Sequence, residues 1–518
     1  MLFHAPIFIF FFLPLTLAVY LVLERRCSPV ATMGFLALAS LVFYSWWNPL
    51  YLPLLVGSTI FNFVIGQVVV PDRRSRYRRA ILVFGITVNL AVLGLFKYAD
   101  LAIQTFDWIA KTDFPALHIV LPLAISFFTF QQIAYLVDSY QGKAPERSFA
   151  AYGLFITFFP HLIAGPIVHH REMMPQFADL IRGNVRSSQQ IWHDLAVGFT
   201  LFTFGFVKKT FFADQFGIWA DNAFRASDAG VSLSLIEAWL GTCCFALQIY
   251  LDFSGYSDMA LGLARLFGVR LPLNFNSPLK AQSIIDFWRR WHMTLSRFLR
   301  DYLYYPLGGN RRGPARRYVN LFIVMALGGL WHGAAWTFVI WGALHGLFLA
   351  INHGYRSLVA RGFPAMPSWL ALALTTVCVL AAWTFFRAET VSSATRMLSG
   401  MAGANGVALP LHWKPAFEGI VAQYELPIAF APMTAYSGGS QVVWVALGFL
   451  ACWLLPNSQE ILRRHDPSFE PVAAPSGVAA RLTWQPSFAS AAAVAVAALA
   501  GTFIVLQGKA GEFIYFQF

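Results

Sequence analysis

The segment Gly328-Gly-Leu-Trp331-His332-Gly-Ala-Ala-Trp336 sets one histidine between glycines in an otherwise apolar run. Glycine on both sides lets backbone or substrate approach the imidazole closely. Imidazole is also the side chain best suited to take a proton from a hydroxyl near neutral pH. A lone histidine in such a run can equally be structural, and both readings stand for His332; His345, further along, is read as structural. Three other places carry polar groups beside apolar sequence, where each is costly and therefore a functional candidate. In Phe158-Phe-Pro-His161-Leu-Ile-Ala-Gly165-Pro166 the prolines imply a broken helix, with His161 either a partner for the freed backbone or a functional group. Asp252, Ser254 and Asp258 end a strongly apolar segment and either line a polar cavity or cap a helix. In Phe287–Tyr302, Trp288, Trp291, Leu295, Phe298 and Tyr302 recur at helical spacing, with His292 among them and Arg289, Arg290, Arg297 and Arg300 taking much of the other face. This predicts an amphipathic helix at a membrane surface, which either anchors on anionic lipid or receives a phosphate-bearing or acidic-protein donor.

The elements that must hold these groups are membrane helices. The chain is 58% hydrophobic and 12% charged, with mean hydropathy +0.58, whereas soluble chains carry about 25% charged residues. Continuous rather than alternating apolar runs predict an all-α polytopic membrane protein and argue against a β-barrel. Candidate spans are 2–23, 30–46, 50–70, 80–96, 115–137, 149–168, 192–207, 233–251, 319–335, 337–352, 368–386, 441–456 and 487–507, some of them re-entrant or buried rather than spanning. The net charge of +12 and pI near 9.6 would suit nucleic acid in a soluble protein. Here the arginines cluster between apolar runs, so the bias of basic loops toward the cytoplasm is the better account, and no nucleic-acid partner is expected. Loops holding Arg25 and Arg26, Arg73 to Arg79, Lys280 to Arg317 and Arg463 to Arg481 fall on one side, predicted cytoplasmic. Both termini are then predicted on the outer face, with an uncleaved first span. Cys27, Cys243, Cys244, Cys378 and Cys452 lack metal-site spacing and read mostly as buried inert thiols, with no metal expected.

Taken in order, Asp252–Asp258, Phe287–Asp301 with Pro306-Leu-Gly-Gly-Asn310, and Gly328–Gly333 resemble the membrane-bound O-acyltransferase (MBOAT) family. The likeness is nearest its bacterial branch of alginate O-acetylation (AlgI) and teichoic-acid D-alanylation (DltB) subunits. It covers residues 1–390 as an acyltransferase core, leaving 391–518 as an extension with an outer-face loop and two further spans. It implies a ring of about 11–13 helices around a central funnel and tunnel, with His332 catalytic and His292, near the tunnel mouth, a second catalytic residue. His161, Asp252, Ser254, Asp258, Trp331 and Asn310 become tunnel or supporting residues, and Arg289, Arg290, Arg297 and Arg300 the donor side. The ending Phe513-Ile-Tyr515-Phe-Gln-Phe518 resembles the terminus of the small D-alanylation partner (DltX), which makes Tyr515 a candidate acyl acceptor and relay. The implied function is transfer of an acyl group, acetyl by the alginate-type match, from a thioester donor (acetyl-CoA or an acyl carrier protein) with no bound cofactor. The expected setting is the bacterial inner membrane, with an outer-face SGNH-hydrolase-like partner and an exported polysaccharide as final acceptor. A lipid- or protein-modifying member of the family, or a non-catalytic transporter or scaffold subunit, remains as an alternative.

Overall fold

The computed structural model describes residues 1–71, 76–143, 148–181, 185–433, 436, 439–475, 480–508, 511 and 513–514. Its elements are helical almost throughout. A π-turn at Phe8–Phe12 leads into α1 (Leu13–Arg26), followed by α2 (Pro29–Ser45), α3 (Leu52–Val69) and α4 (Arg78–Leu93). A second π-turn, Gly94–Tyr98, joins α4 to α5 (Ala99–Ala110); then come α6 (Ile125–Tyr140), α7 (Phe149–Thr157), α8 (Phe159–Leu162) and α9 (His170–Ile181). The π-turn Lys208–Ala213 joins α10 (Ser188–Val207) to α11 (Asp214–Asp228), and α12 runs from Leu235 to Leu266. Next are α13 (Ile284–Arg290), α14 (Met293–Leu299), α15 (Gly313–His332), α16 (Trp336–Val359), α17 (Ser368–Arg387) and α18 (Val391–Met401). The extension holds β1 (Val407–Pro410), α19 (Lys414–Gln423), β2 (Ile428–Ala431), α20 (Ser440–Leu454), α21 (Ser458–Ile461) and α22 (Phe488–Leu506).

Among the described residues, seven helical stretches are long and apolar enough to cross a membrane: 8–26, 49–69, 78–110, 188–228, 235–266, 368–387 and 488–506. The 33-residue and 41-residue stretches each run through a π-turn, so the predicted spans 80–96 and 192–207 are portions of longer helices. Two other predicted spans are corrected. Residues 115–124 are not helical, and α6 begins only at Ile125, after Pro115 and Pro122. The run 149–168 breaks at Phe158 into α7 and the four-residue α8, because Pro160 has no N–H to continue the ladder. The stretch read as an outer-face loop also contains a strand pair, β1 parallel to β2 in the register Val407↔Ile428 to Pro410↔Ala431.

At the centre lies α12. Its start is closed by a capping box, in which Ser234 accepts from the Glu237 N–H and Glu237 reaches back to Ser234. It crosses α10 at two glycine pairs. A Cβ on Gly205 would run into the Gly255 carbonyl, and one on Gly262 would come within 2.5 Å of the Gly198 carbonyl. Small residues allow such backbone approach, and lipid-embedded helices associate through it. The helices α15 and α16 meet the same way, through Gly329 and Gly342. Several charged groups inside the bundle are paired: Arg186 bridges Glu24 of α1 and Asp194 of α10, and Arg265 of α12 meets Asp194 at 2.9 Å. The outer surface is apolar, and α22 buries only Gly501, against Phe206 and Thr210.

Candidate active site

His332 is the last residue of α15. Helix C-termini leave carbonyls without partners, and a cation there satisfies them and complements the helix dipole. Lys97, in the second π-turn, supplies it: its Nζ donates to the Trp331 carbonyl at 2.6 Å, the His332 carbonyl at 3.1 Å and Ser126 Oγ at 3.3 Å. Tyr98 donates to the Leu330 carbonyl, and the Trp331 indole N–H to the Ser126 carbonyl. An ammonium has three hydrogens, so Lys97 is fully committed to holding this helix end. The His332 ring lies 5.1 Å from Trp341 and 5.3 Å from Phe386, with Gly333 so close to Phe338 that a Cβ would overlap the ring.

The second histidine arrives by a break in the helix. The expected continuous helix over 287–302 is two short ones, α13 and α14, separated at Trp291–His292. His292 takes a left-handed backbone (φ 43°), which turns its side chain into the protein. Trp288 and Trp291 are buried in the core. One chain of hydrogen bonds sets the His292 tautomer. The Ile167 N–H donates to Thr294 Oγ1, so the Thr294 hydroxyl donates onward to Asn274 Oδ1 at 2.9 Å. That oxygen therefore accepts from His292 Nδ1 at 3.0 Å. Nε2 is left as the basic nitrogen, with no hydrogen-bond partner among the described residues. The His292 and His332 rings are 6.1 Å apart.

His332, Trp331, Lys97 and Ser126 line a cavity of about 660 Å³ that Met1, Trp46 and Phe513 also line. Residues far apart in the sequence, Met1 and Phe513, thus share its wall. Phe3 stacks on Tyr256 at 4.7 Å, and Phe513 stacks on the same tyrosine at 4.4 Å. Ile514 is buried, and its N–H donates to Asp252 Oδ2 at 2.8 Å. Tyr515 lies outside the described residues.

The other sequence candidates separate. His161 is buried on α8, with Nδ1 3.2 Å from Gln131 Nε2, and its neighbours Ile163 and Ala164 line the cavity. Asp252 and Ser254 are interior to α12 and do not cap it; the cap is Ser234. Asp258 faces away from the cavity, held by Lys208 at 2.6 Å, Ser458 and Gln459. Asn310 is exposed in a turn and is not among the residues lining this cavity, whereas buried Asn320 donates to the Gly309 carbonyl and holds that turn. Of the basic residues, Arg290 pairs with Asp286, Arg297 with Glu172 and Glu470, and Arg300 with Asp301; Arg289 and Arg300 are exposed. Outside the spanning helices, burial raises the Glu172 carboxyl despite Arg297, and burial with Arg297 and Arg171 lowers the His169 imidazole to about 3. His345 accepts from the Trp288 indole and stacks on Phe287, within the packing of α13 on α16. Of the cysteines, Cys27 is exposed.

Sequence reasoning passed over Lys97, Lys208, Lys209 and Asn274. The lysines carried a usable signal, since each is a charge at the edge of an apolar run. Asn274 sits in a non-helical stretch with no such contrast. Among the described residues no three His, Cys, Asp or Glu side chains converge to hold a metal.

Comparison with known proteins identifies the family. The family model of the membrane-bound O-acyltransferase family matches residues 146–395. The "Peptidoglycan O-acetyltransferase" of Helicobacter pylori is 45% identical over 436 residues, covering 79% of this chain and 81% of that protein. The "Probable alginate O-acetylase AlgI" of Pseudomonas aeruginosa is 41% identical, covering 77% and 75%. The "Teichoic acid D-alanyltransferase" of Bacillus subtilis is 26% identical, covering 55% and 73%. With a helical membrane fold and relatives 45% and 41% identical over three quarters or more of their length, this chain belongs to the membrane-bound O-acyltransferase family.

Proposed function

We propose that this protein acetylates a cell-envelope polysaccharide by relay, passing acetyl from a cytoplasmic thioester to its own Tyr515 and thence to an outer-face partner. The observation that carries the relay is that Phe513, two residues before Tyr515 in sequence, lies in the wall of the cavity that His332 lines. Acetyl and a glycan acceptor follow from the printed names of the peptidoglycan and alginate relatives. The donor is acetyl-CoA or an acetylated carrier protein, arriving from the side of the basic loops, and both termini belong to the periplasmic face of the inner membrane. The partner that takes the acetyl group is an SGNH-hydrolase-like transferase.

In this reading His332 removes the proton from the Tyr515 phenol as the phenolic oxygen attacks the thioester carbonyl. The C–S bond breaks, the proton passes from the imidazolium to the leaving thiolate, and an aryl acetate remains. A phenol pKa of about 10 makes that ester a better donor for the next step than an alkyl ester. Lys97 takes no part in proton transfer; it keeps the end of α15 in place. His292, with Nε2 basic and its ring centroid 6.1 Å from that of His332, is the second candidate base.

The test uses full-length protein in liposomes with radiolabelled acetyl-CoA. Label is expected on the tail peptide containing Tyr515, and none with His332→Ala or Tyr515→Phe. Normal product acetylation by His332→Ala would remove His332 from the chemistry. Full activity of Tyr515→Phe would return the tail to a packing role.

A further inference from the structure

Lys209 is 2% exposed, in the π-turn between α10 and α11. Its ammonium meets Asp214 Oδ1 at 2.6 Å and Asp252 Oδ1 at 3.2 Å, and all three groups lie within spanning helices. Two carboxylates and one cation in such a place are expensive, and π-turns inside helices are frequent at functional sites. The triad leaves one negative charge in excess, and the groups brought to it are backbone groups of the tail. Asp252 Oδ2 accepts the Ile514 N–H, 262 residues away in sequence. Gly511 lies against Asp214, with so little room that a Cβ would stand 3.1 Å from Oδ1. Between these two points Phe513 is fixed by its stack on Tyr256.

Every residue except proline offers an N–H, so the Asp252 grip holds the backbone against α12, while the Phe513 stack and the tight approach at Gly511 tell one position from the next. Extended chain advances about 3.3 Å per residue, so a slip of one position would carry the acceptor past a group it must touch. We infer that Lys209, Asp214 and Asp252 form a clamp on the backbone of the tail that sets its register at the His332 cavity. These are positioning residues: Asp252 touches the residue before Tyr515, and Lys209 holds both carboxylates in place. The clamp rests on the relay reading, since register matters only if a particular tail residue reacts.

The decisive change removes one hydrogen. Ile514→Pro deletes the N–H that Asp252 accepts and leaves Tyr515 intact. In the liposome assay we expect acetyl-Tyr515 to fall by about tenfold to a hundredfold, with Ile514→Val restoring it. A synthetic peptide of residues 509–518, added in trans to Ile514→Pro, should be acetylated, which shows that the cavity is still formed. Adding Asp252→Asn should then raise the KM for that peptide with little change in kcat, and should not deepen the Ile514→Pro defect in cis. Wild-type levels of acetyl-Tyr515 in Ile514→Pro would overturn the clamp. So would a loss that Ile514→Val fails to restore, or a fall in kcat alone with Asp252→Asn. Full activity of Tyr515→Phe would instead overturn the relay, so the two failures are distinct.

Discussion

Two carboxylates on α12, Asp252 and Asp258, lie six residues apart and pair with two consecutive lysines, Lys209 and Lys208. Both are almost fully buried, and consecutive residues on a helix diverge by about 100°, so one π-turn serves both. Their remaining partners differ. Asp258 is satisfied by side chains alone, Lys208 with Ser458 and Gln459 of α21, and so ties the extension to the core. Asp252 has spent one oxygen on Lys209 and the other on a main-chain N–H near the end of the chain. The same ion-pair chemistry thus joins two side-chain clusters at one site and, on the clamp proposal, grips the backbone of the tail at the other.

The comparison can be broken by removing each carboxylate in turn. The largest effect is expected for Asp258→Ala, which strands the Lys208 ammonium and the Gln459 amide. Thermal unfolding in detergent should show a loss of about 3–5 kcal/mol, while the molecules that remain folded keep more Tyr515 acetylation than Asp252→Asn does. Asp252→Asn should do the reverse. Its melting temperature should drop less, because Lys209 keeps Asp214, while acetyl-Tyr515 should fall about tenfold, equivalent to about 1.4 kcal/mol. Equal stability losses in the two variants would erase the distinction between joint and grip. The smallest effect is expected for Gly511→Ala, where the added methyl presses on Asp214 Oδ1 and shifts the tail. A drop of a few-fold in acetyl-Tyr515, at unchanged melting temperature, would sharpen the assignment of Asp214 to the clamp.

Much of the site was legible as residue types out of place. His332 between glycines, His292 among arginines and two aspartates in an apolar helix are conspicuous because charge and hydrogen-bonding capacity are costly there. Their partners were not legible. Lys97 reaches the carbonyls of residues 234 and 235 positions away, and nothing local to either segment encodes that meeting. The break at His292 was hidden for a different reason: Trp288, Trp291, Leu295 and Phe298 keep their helical spacing straight through it, since both halves bury their apolar face. Pro115 and Pro122, by contrast, did signal that the run 115–137 could not be helical throughout. The hydropathy of the run outweighed them in the sequence reading.

By itself, the sequence determined membrane residence, helical class and family, and it singled out His332 as the candidate base. The first three depend on composition, period or contiguous motifs, and these survive in one dimension. Tertiary structure alone decided which lysine holds α15, which nitrogen of His292 is basic, and that Asp252 and Asp258 do different work. Each of those depends on where a polar atom finds its partner once water is excluded, and in a packed helical bundle that partner lies on another helix.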